Sequence, residues 1–294
     1  MKNKIGLSTF VLASPFSNND LALMGKVKAM GYGVLEICIE DPATLSIDAI
    51  NTAAKIHELD ISICGAFGPD RDISHEDPII RAKGIKYLNT CIDFAAGVGS
   101  PFVAGPMYSA TGKTRLLSPA DRKQQFDWAV ESLVTVASYA KTRDIGLAIE
   151  PLNRFETDFI NTLAQGVELA RAVGLDNVGL LIDTFHMHIE EKSLAESIRL
   201  AAPYIFHVQV SENDRGTPGK GQVHWDEFFT ALSEINYEGQ IVVESFLPTV
   251  KEIARAVSGW RPVAPSMDSL AINGFEFINF KVTQYLKEIK INGS

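Results

Sequence analysis

The sequence predicts an α/β protein that closes into a single (β/α)8 barrel, the TIM-barrel architecture, over residues 1–294. Three observations carry this expectation. Short runs rich in β-branched and aliphatic residues recur eight times, each followed by a longer segment of helical period, the alternation that marks βα units on a parallel sheet. The length of 294 residues lies near the roughly 250 typical of one such barrel. A hydrophobic fraction of 46% can bury a large core, and no Pro/Gly/Ser-rich stretch is long enough to link two domains.

In chain order, strands are expected at Ile5–Phe10, Val34–Cys38, Ile61–Gly65, Phe102–Ala104, Gly146–Glu150, Val178–Asp183, Ile205–Val210 and Gln240–Glu244. Between them, Ile47–Glu58, Pro78–Val98, Ser118–Arg143, Thr162–Ala172 and Trp225–Ile235 have helical length and amphipathic spacing. Ser118-Pro119 supplies an N-cap followed by proline at the first helical position, where the missing N–H costs nothing. Gly174 and Gly239 stand after helices and before strands, where a left-handed residue can close a helix. An irregular stretch, Leu247–Asp268, separates the eighth strand from a last long helix over about Ser269–Ile289.

Charge and composition narrow the function. Lys plus Arg total 27 against 36 Asp plus Glu, for a net charge of −9. Such a surface repels polyphosphates, so no nucleic-acid partner is expected. No uninterrupted apolar run approaches the roughly 20 residues needed to cross a bilayer. The N-terminus, Met1 to Leu7, lacks the long apolar region of a signal peptide. Cys38, Cys64 and Cys91 follow no metal-type spacing and leave one unpaired, which suits a reducing compartment; each is expected to be a small buried hydrophobe. The expected setting is cytoplasmic, with neither membrane nor nucleic acid as partner.

In barrels of this kind the reactive groups collect at the C-terminal ends of the strands. Strand five ends in Ile149-Glu150, strand six in Ile182-Asp183 and strand eight in Val243-Glu244. A lone acid at such a place also serves as a helix N-cap or a loop anchor. Three converging on one axis resist joint ionisation, and a divalent cation is the simplest way to hold them together. In strand seven, His207 and Gln209 share a face by alternation. An oxygen-rich site with at most one imidazole favours Mn²⁺, Mg²⁺ or Co²⁺ over a thiolate-bound metal. Glu156 follows strand five, and His186 and His188 follow strand six; His188 reads first as a solvated loop residue. Arg215, before a glycine-rich run without the Walker pattern, reads as an anion grip or a loop rim.

Four segments taken together resemble the ketose 3-epimerases, typified by D-tagatose 3-epimerase and D-psicose (D-allulose) 3-epimerase, within the xylose-isomerase-like barrels. They are Ile149-Glu150-Pro151-Leu152-Asn153-Arg154-Phe155-Glu156, Asp183-Thr184-Phe185-His186-Met187, Ser211-Glu212-Asn213-Asp214-Arg215-Gly216 with Pro218-Gly219, and Glu244-Ser245-Phe246. The resemblance implies that Glu150, Asp183 and Glu244 bind a metal ion, Mn²⁺ first, while Glu156, His186 and Arg215 hold the O1, O2 and O3 end of an unphosphorylated sugar. The family's fourth ligand is a histidine where this chain has Gln209, so the shell is completed by the Gln209 amide oxygen, by His207 or by water. Gly6 and Ser8 do not reproduce the aromatic residues that floor the pocket in several members; Phe10, Phe67 and Tyr108 are candidates for that wall.

Epimerising C3 requires a proton removed from one face of the carbon and another returned to the opposite face. Glu150 and Glu244 are the expected acid/base pair. Alternatives are an aldose–ketose or hydroxypyruvate isomerase, an inosose dehydratase, a keto-sugar lyase, or a silent sugar-binding barrel whose metal site has decayed at Gln209. A DNA-repair endonuclease of a related barrel would need a richer histidine cluster than six mostly scattered residues provide. Family analogy implies a homo-oligomer, a dimer or tetramer, with Trp260 and Phe275 as interface candidates.

Overall fold

The computed structural model describes residues 3–247 and 259–286. Strands β1 (Ile5–Ser8), β2 (Val34–Ile39), β3 (Asp60–Gly65), β4 (Phe102–Gly105), β5 (Gly146–Ile149), β6 (Val178–Asp183), β7 (Ile205–Val210) and β8 (Ile241–Val243) form a closed barrel in sequence order. All pairs are parallel, and β8 closes on β1 with Gly6 opposite Val242. Closure leaves no sheet edge, and the buried strands read as apolar runs because both faces are covered. The expected (β/α)8 barrel is what forms.

The helices are α1 (Leu23–Ala29), α2 (Ile47–His57), α3 (Pro78–Val98), α4 (Pro119–Lys141), α5 (Leu163–Val173), α6 (Thr184–Glu190), α7 (Leu194–Ala201), α8 (Trp225–Glu234) and α9 (Met267–Tyr285). The Ser118 hydroxyl accepts from the Asp121 N–H and starts α4 as expected. Gly174, at φ 72°, closes α5. Gly239 does not perform that service for α8; the left-handed residue there is Asn236, at φ 53°, since an asparagine side chain tolerates this region. β1 ends earlier than its apolar run because Ser8 accepts from the Phe10 N–H and turns Thr9–Val11 into a 3-10 helix. Within the stretch 247–268, residues 248–258 lie outside the described part, as do residues 287–289 of the expected last helix. The start of α9 falls at Met267, where Ser266 caps it.

The core has two compartments. The larger lies between the strands and the helices. The smaller, Phe102, Ala104, Ala148 and Leu181 with Phe206 against them, fills the barrel interior. Small residues make room for it: a Cβ on Gly179 would lie 2.6 Å from the Phe206 ring. Phe275 is half-buried, its ring packed edge-on to Tyr32 at 5.1 Å, and Trp260 is 73% exposed. Cys38, Cys64 and Cys91 are buried and free. Among the described residues no helix is long and apolar enough to cross a membrane.

Candidate active site

Each strand-end acid is fixed by the strand beside it. The Glu150 N–H donates to Gly105 O (3.1 Å), and the Glu244 N–H donates to Val210 O (3.1 Å). Asp183 ends β6 and caps α6, accepting from the Phe185 N–H at 2.9 Å. The helix therefore starts without a loop and carries His186 back over the barrel mouth. His186 Nε2 lies 3.4 Å from Glu150 Oε1 and 3.8 Å from Asp183 Oδ2. One possible ligand atom from each of Glu150, Asp183 and His186 falls within 4.8 Å of the others.

Arg215 enters from the β7 side. It stands at φ 63° in a turn where its N–H donates to Glu212 O (2.9 Å), and a non-glycine residue holds such a conformation only when its surroundings enforce it. The enforcement is visible. The Ser245 hydroxyl donates to Arg215 O at 2.7 Å, and the rings of Phe185 and Phe246 flank the guanidinium at 4.1 and 5.1 Å. Nη1 donates to Asp183 and, at 3.2 Å, to Glu244 Oε2. Behind this turn, the buried Glu212 carboxylate accepts from Gly219 N–H (2.7 Å), Trp225 Nε1 (2.7 Å) and Val223 N–H (3.2 Å), which gathers the loop leading to α8.

Burial and charge act on these groups in opposition. Burial lifts the Glu150 carboxyl above its usual range, opposed by the hydrogen bond and charge of His186. Burial lifts Glu244 much further; Arg215 opposes, while the like charges of Glu150 and Asp183 add to the rise. For Arg215, burial alone would lower the guanidinium, but the charges of Asp183, Glu244, Glu156 and Glu150 more than offset it and hold it above its ordinary value.

Glu150, Glu156, His186, Arg215 and Glu244 line one cavity of about 380 Å³ with an apolar wall that includes Phe10. That size suits a small molecule. Phe67 and Phe246 complete the wall, whereas Tyr108 does not belong to it: its ring is fully buried and its hydroxyl donates to Ile160 O at 2.9 Å. A larger cavity of about 700 Å³, lined by Asp72, His75, Lys113, Arg115 and Trp128 among others, contains none of the strand-end acids. The converging titratable groups, not the volume, mark the smaller cavity as the site. His188 stays outside it, its ring 6.4 Å from that of His224.

Gln209 and His207 face inward, as alternation requires, but both are held by a residue that the strand-end survey passed over. Glu36, fully buried on β2, accepts from Gln209 Nε2 at 2.6 Å and lies 2.6 Å from His207 Nε2. Gln209 is paired in register with Asp183 on β6, and its Oε1 is buried with no hydrogen-bond partner. A buried orphan amide oxygen beside a carboxylate suits a hard divalent cation, so Glu150, Asp183, Gln209 and Glu244 fit the group that the resemblance implies. His207 sits one layer deeper, opposite Leu181 and against Phe102 at 4.5 Å.

Asn153 also escaped the survey of charged residues. Its backbone N–H donates to His186 Nδ1 at 3.0 Å, and its Nδ2 donates to Glu156 Oε1 at 2.8 Å. Only its place in the Glu150 to Glu156 segment hinted at this. The signal for Glu36 was a lone acid at an inward position of the apolar run Val34-Leu35-Glu36-Ile37.

A closed eight-stranded barrel with acids converging at its C-terminal mouth defines a class, and comparison with known proteins gives the family. Residues 24–264 match the family described as "Xylose isomerase-like TIM barrel", and the chain belongs to it. It is similar to a probable ketose 3-epimerase of Synechocystis sp., 31% identical over 277 residues, 94% of this chain and 96% of that one. D-psicose 3-epimerase of Agrobacterium fabrum is 32% identical over 265 residues, 87% of this chain and 91% of its own. Among solved structures, D-allulose 3-epimerase from Methylomonas sp. in complex with D-allulose aligns with a TM-score of 0.88 and 29% identity, covering 95% of this chain and 97% of that one. These relatives set the chain among the isomerases as an enzyme of the ketose 3-epimerase type.

Proposed function

We propose that this chain is a single-domain enzyme that epimerises an unphosphorylated ketose at C3, with Glu150 and Glu244 as the acid/base pair. One observation carries the reading: two buried carboxyl groups from non-adjacent strands, both raised above their usual range, line the same cavity as two convergent cation-type donors. Removing a proton from C3 leaves an enediolate spread over C2 and C3. A second carboxyl in acid form, on the other side of the sugar, returns a proton to the opposite face. Groups whose charge is already disfavoured by burial give and take protons near neutrality more readily than solvated carboxylates.

The remaining residues hold the sugar. His186 Nδ1 accepts from the Asn153 N–H, and its Nε2 lies 2.8 Å from Arg215 Nη2. The imidazole and the guanidinium converge on the same space, where the guanidinium N–H groups donate to oxygens at the O1 to O3 end of a ketose. Glu156, turned into the cavity by Asn153, takes a hydroxyl proton. Glu150, Asp183, Gln209 and Glu244 would hold a divalent cation, Mn²⁺ before Co²⁺ or Mg²⁺, which would supply Lewis-acid charge to the site. The exposed Trp260 supports a homo-oligomer, a dimer or tetramer, and the three free buried cysteines support a reducing, cytoplasmic setting.

The test is NMR of the protein with Mn²⁺ and D-fructose, D-psicose or D-tagatose in D2O, beside a chelated control. Metal-dependent deuterium at C3, with the C3 epimer appearing, is expected. Exchange at C1 instead, or loss of water or a leaving group, moves the reaction to an isomerase, dehydratase or lyase. Sugar binding without exchange at any carbon leaves a silent binder.

A further inference from the structure

We propose that Glu36 is a positioning residue that decides which end of the Gln209 amide faces the strand-end carboxylates. The inference rests on the metal-site reading above and goes beyond it to a buried layer beneath the site. The two ends of a glutamine amide are nearly the same in shape but opposite in hydrogen bonding: Nε2 only donates and Oε1 only accepts. An ionised carboxylate only accepts. Glu36 Oε1 stands 2.6 Å from Gln209 Nε2, so the nitrogen is turned toward Glu36 and the oxygen away from it, buried without a partner, on a residue whose register partner is Asp183. The opposite rotamer would set two acceptor oxygens against each other in a fully buried place and aim an N–H pair at the cation site.

The rest of the layer holds Glu36 to this task. It is fully buried, and its Oε2 receives the Ser62 hydroxyl at 3.3 Å and faces His207 Nε2 at 2.6 Å. A buried carboxylate stays where its donors hold it. Ser62 is the register partner of Glu36 on β3, and the His207 ring is wedged against Phe102, so neither donor can swing away. Where the relatives' family pattern has an imidazole, this chain offers a neutral oxygen whose direction must be set from outside. An amide oxygen is a harder ligand than imidazole and shifts the relative preference of the site toward hard cations such as Mn²⁺ and Mg²⁺.

The experiment is a double-mutant cycle on Mn²⁺ affinity, read by electron paramagnetic resonance of the free ion, with wild type, Glu36→Gln, Gln209→Ala and the double variant. Glu36→Gln keeps the shape but replaces the acceptor-only group with one that satisfies either end of Gln209. Loss of an outer-shell partner typically weakens a metal about 10- to 100-fold. A loss of about tenfold is expected for Glu36→Gln, a similar or larger loss for Gln209→Ala, and no further loss in the double variant. With Co²⁺, the visible absorption of Glu36→Gln should move toward that of Gln209→Ala. Glu36→Asp, which draws the carboxylate back by one methylene, runs the same cycle if the first variant does not fold. Penalties that multiply in the double variant, or a Glu36→Gln protein that binds Mn²⁺ like wild type, overturn the role of Glu36. So does a Gln209→Ala protein with wild-type affinity, which leaves the metal site itself standing. Wild-type protein that binds no Mn²⁺ removes the metal reading and this inference together.

Discussion

Asn153 grips His186 from one side: its backbone N–H donates to Nδ1 at 3.0 Å while its side-chain Nδ2 lies 2.9 Å from the same nitrogen. That arrangement fixes the orientation of the imidazole, with Nε2 3.4 Å from Glu150 Oε1, and the same Nδ2 reaches Glu156. Replacing Asn153 with Asp keeps the oxygen that caps Phe155 N–H but turns an acceptor toward both His186 and Glu156. Small misplacements of positioning groups cost up to about 10²-fold in rate. Asn153→Asp should therefore lower kcat/KM by about 10- to 100-fold, with a melting temperature close to wild type. Steady-state kinetics with calorimetry checks both; unchanged kinetics would remove Asn153 from the positioning network.

The proposed acid/base pair makes a sharper demand. Glu150→Gln and Glu244→Gln each keep the volume of a buried side chain and remove its capacity to exchange protons. General acid–base catalysis contributes about 10²- to 10⁴-fold. Each variant should lose C3 exchange by that factor while still binding the sugar, measured by calorimetric titration. If one variant keeps full exchange, a single group serves both faces and the two-base scheme fails.

Glu212 is the loop's anchor and not part of the cavity wall. Its carboxylate accepts from Gly219, Val223 and Trp225, and the turn that holds Arg215 is built on its backbone. Glu212→Gln sets an N–H pair against buried donors, a mismatch worth about 1–3 kcal/mol. The expected result is a lower melting temperature and a raised KM with a smaller change in kcat, because the loop bearing Arg215 loosens. A kcat effect without a KM effect would argue for a direct role of Glu212.

The barrel was legible because its signal is repeated. Most strand positions are apolar, and runs such as Val178–Asp183 and Ile205–Val210 coincide with β6 and β7 end to end. The short helices α1, α6 and α7 escape a reading by period because seven or eight residues span only about two turns. The acids at strand ends were legible for the same geometric reason: strand ends point to one mouth. The layer below was not. Glu36 sits in mid-strand, and what it does depends on β7 standing across the barrel from β2, a relation that only closure creates. Tyr108 went wrong because aromatic residues serve core and pocket equally well until burial is known.

The raised carboxyls also predict how stability varies with pH in chelator-treated protein. Glu150 and Glu244 hold their protons in the folded state above the ordinary value of 4.5, whereas the unfolded chain sheds them near it. Between those two values the folded state binds more protons, so the stability of unfolding falls as pH rises through the window that starts near 4.5. Below that window both states are protonated, and the contribution is flat. A cation bound by the same carboxyls favours their ionised form and displaces the protons. Mn²⁺ should then raise the melting temperature more at pH 8 than at pH 6, and its binding heat should depend on the ionisation enthalpy of the buffer. In Glu244→Gln, which lacks the more strongly raised group, the fall of metal-free stability with pH should be shallower than in wild type. Equal slopes would place the titration elsewhere in the protein, and a Mn²⁺ effect larger at pH 6 would reverse the linkage.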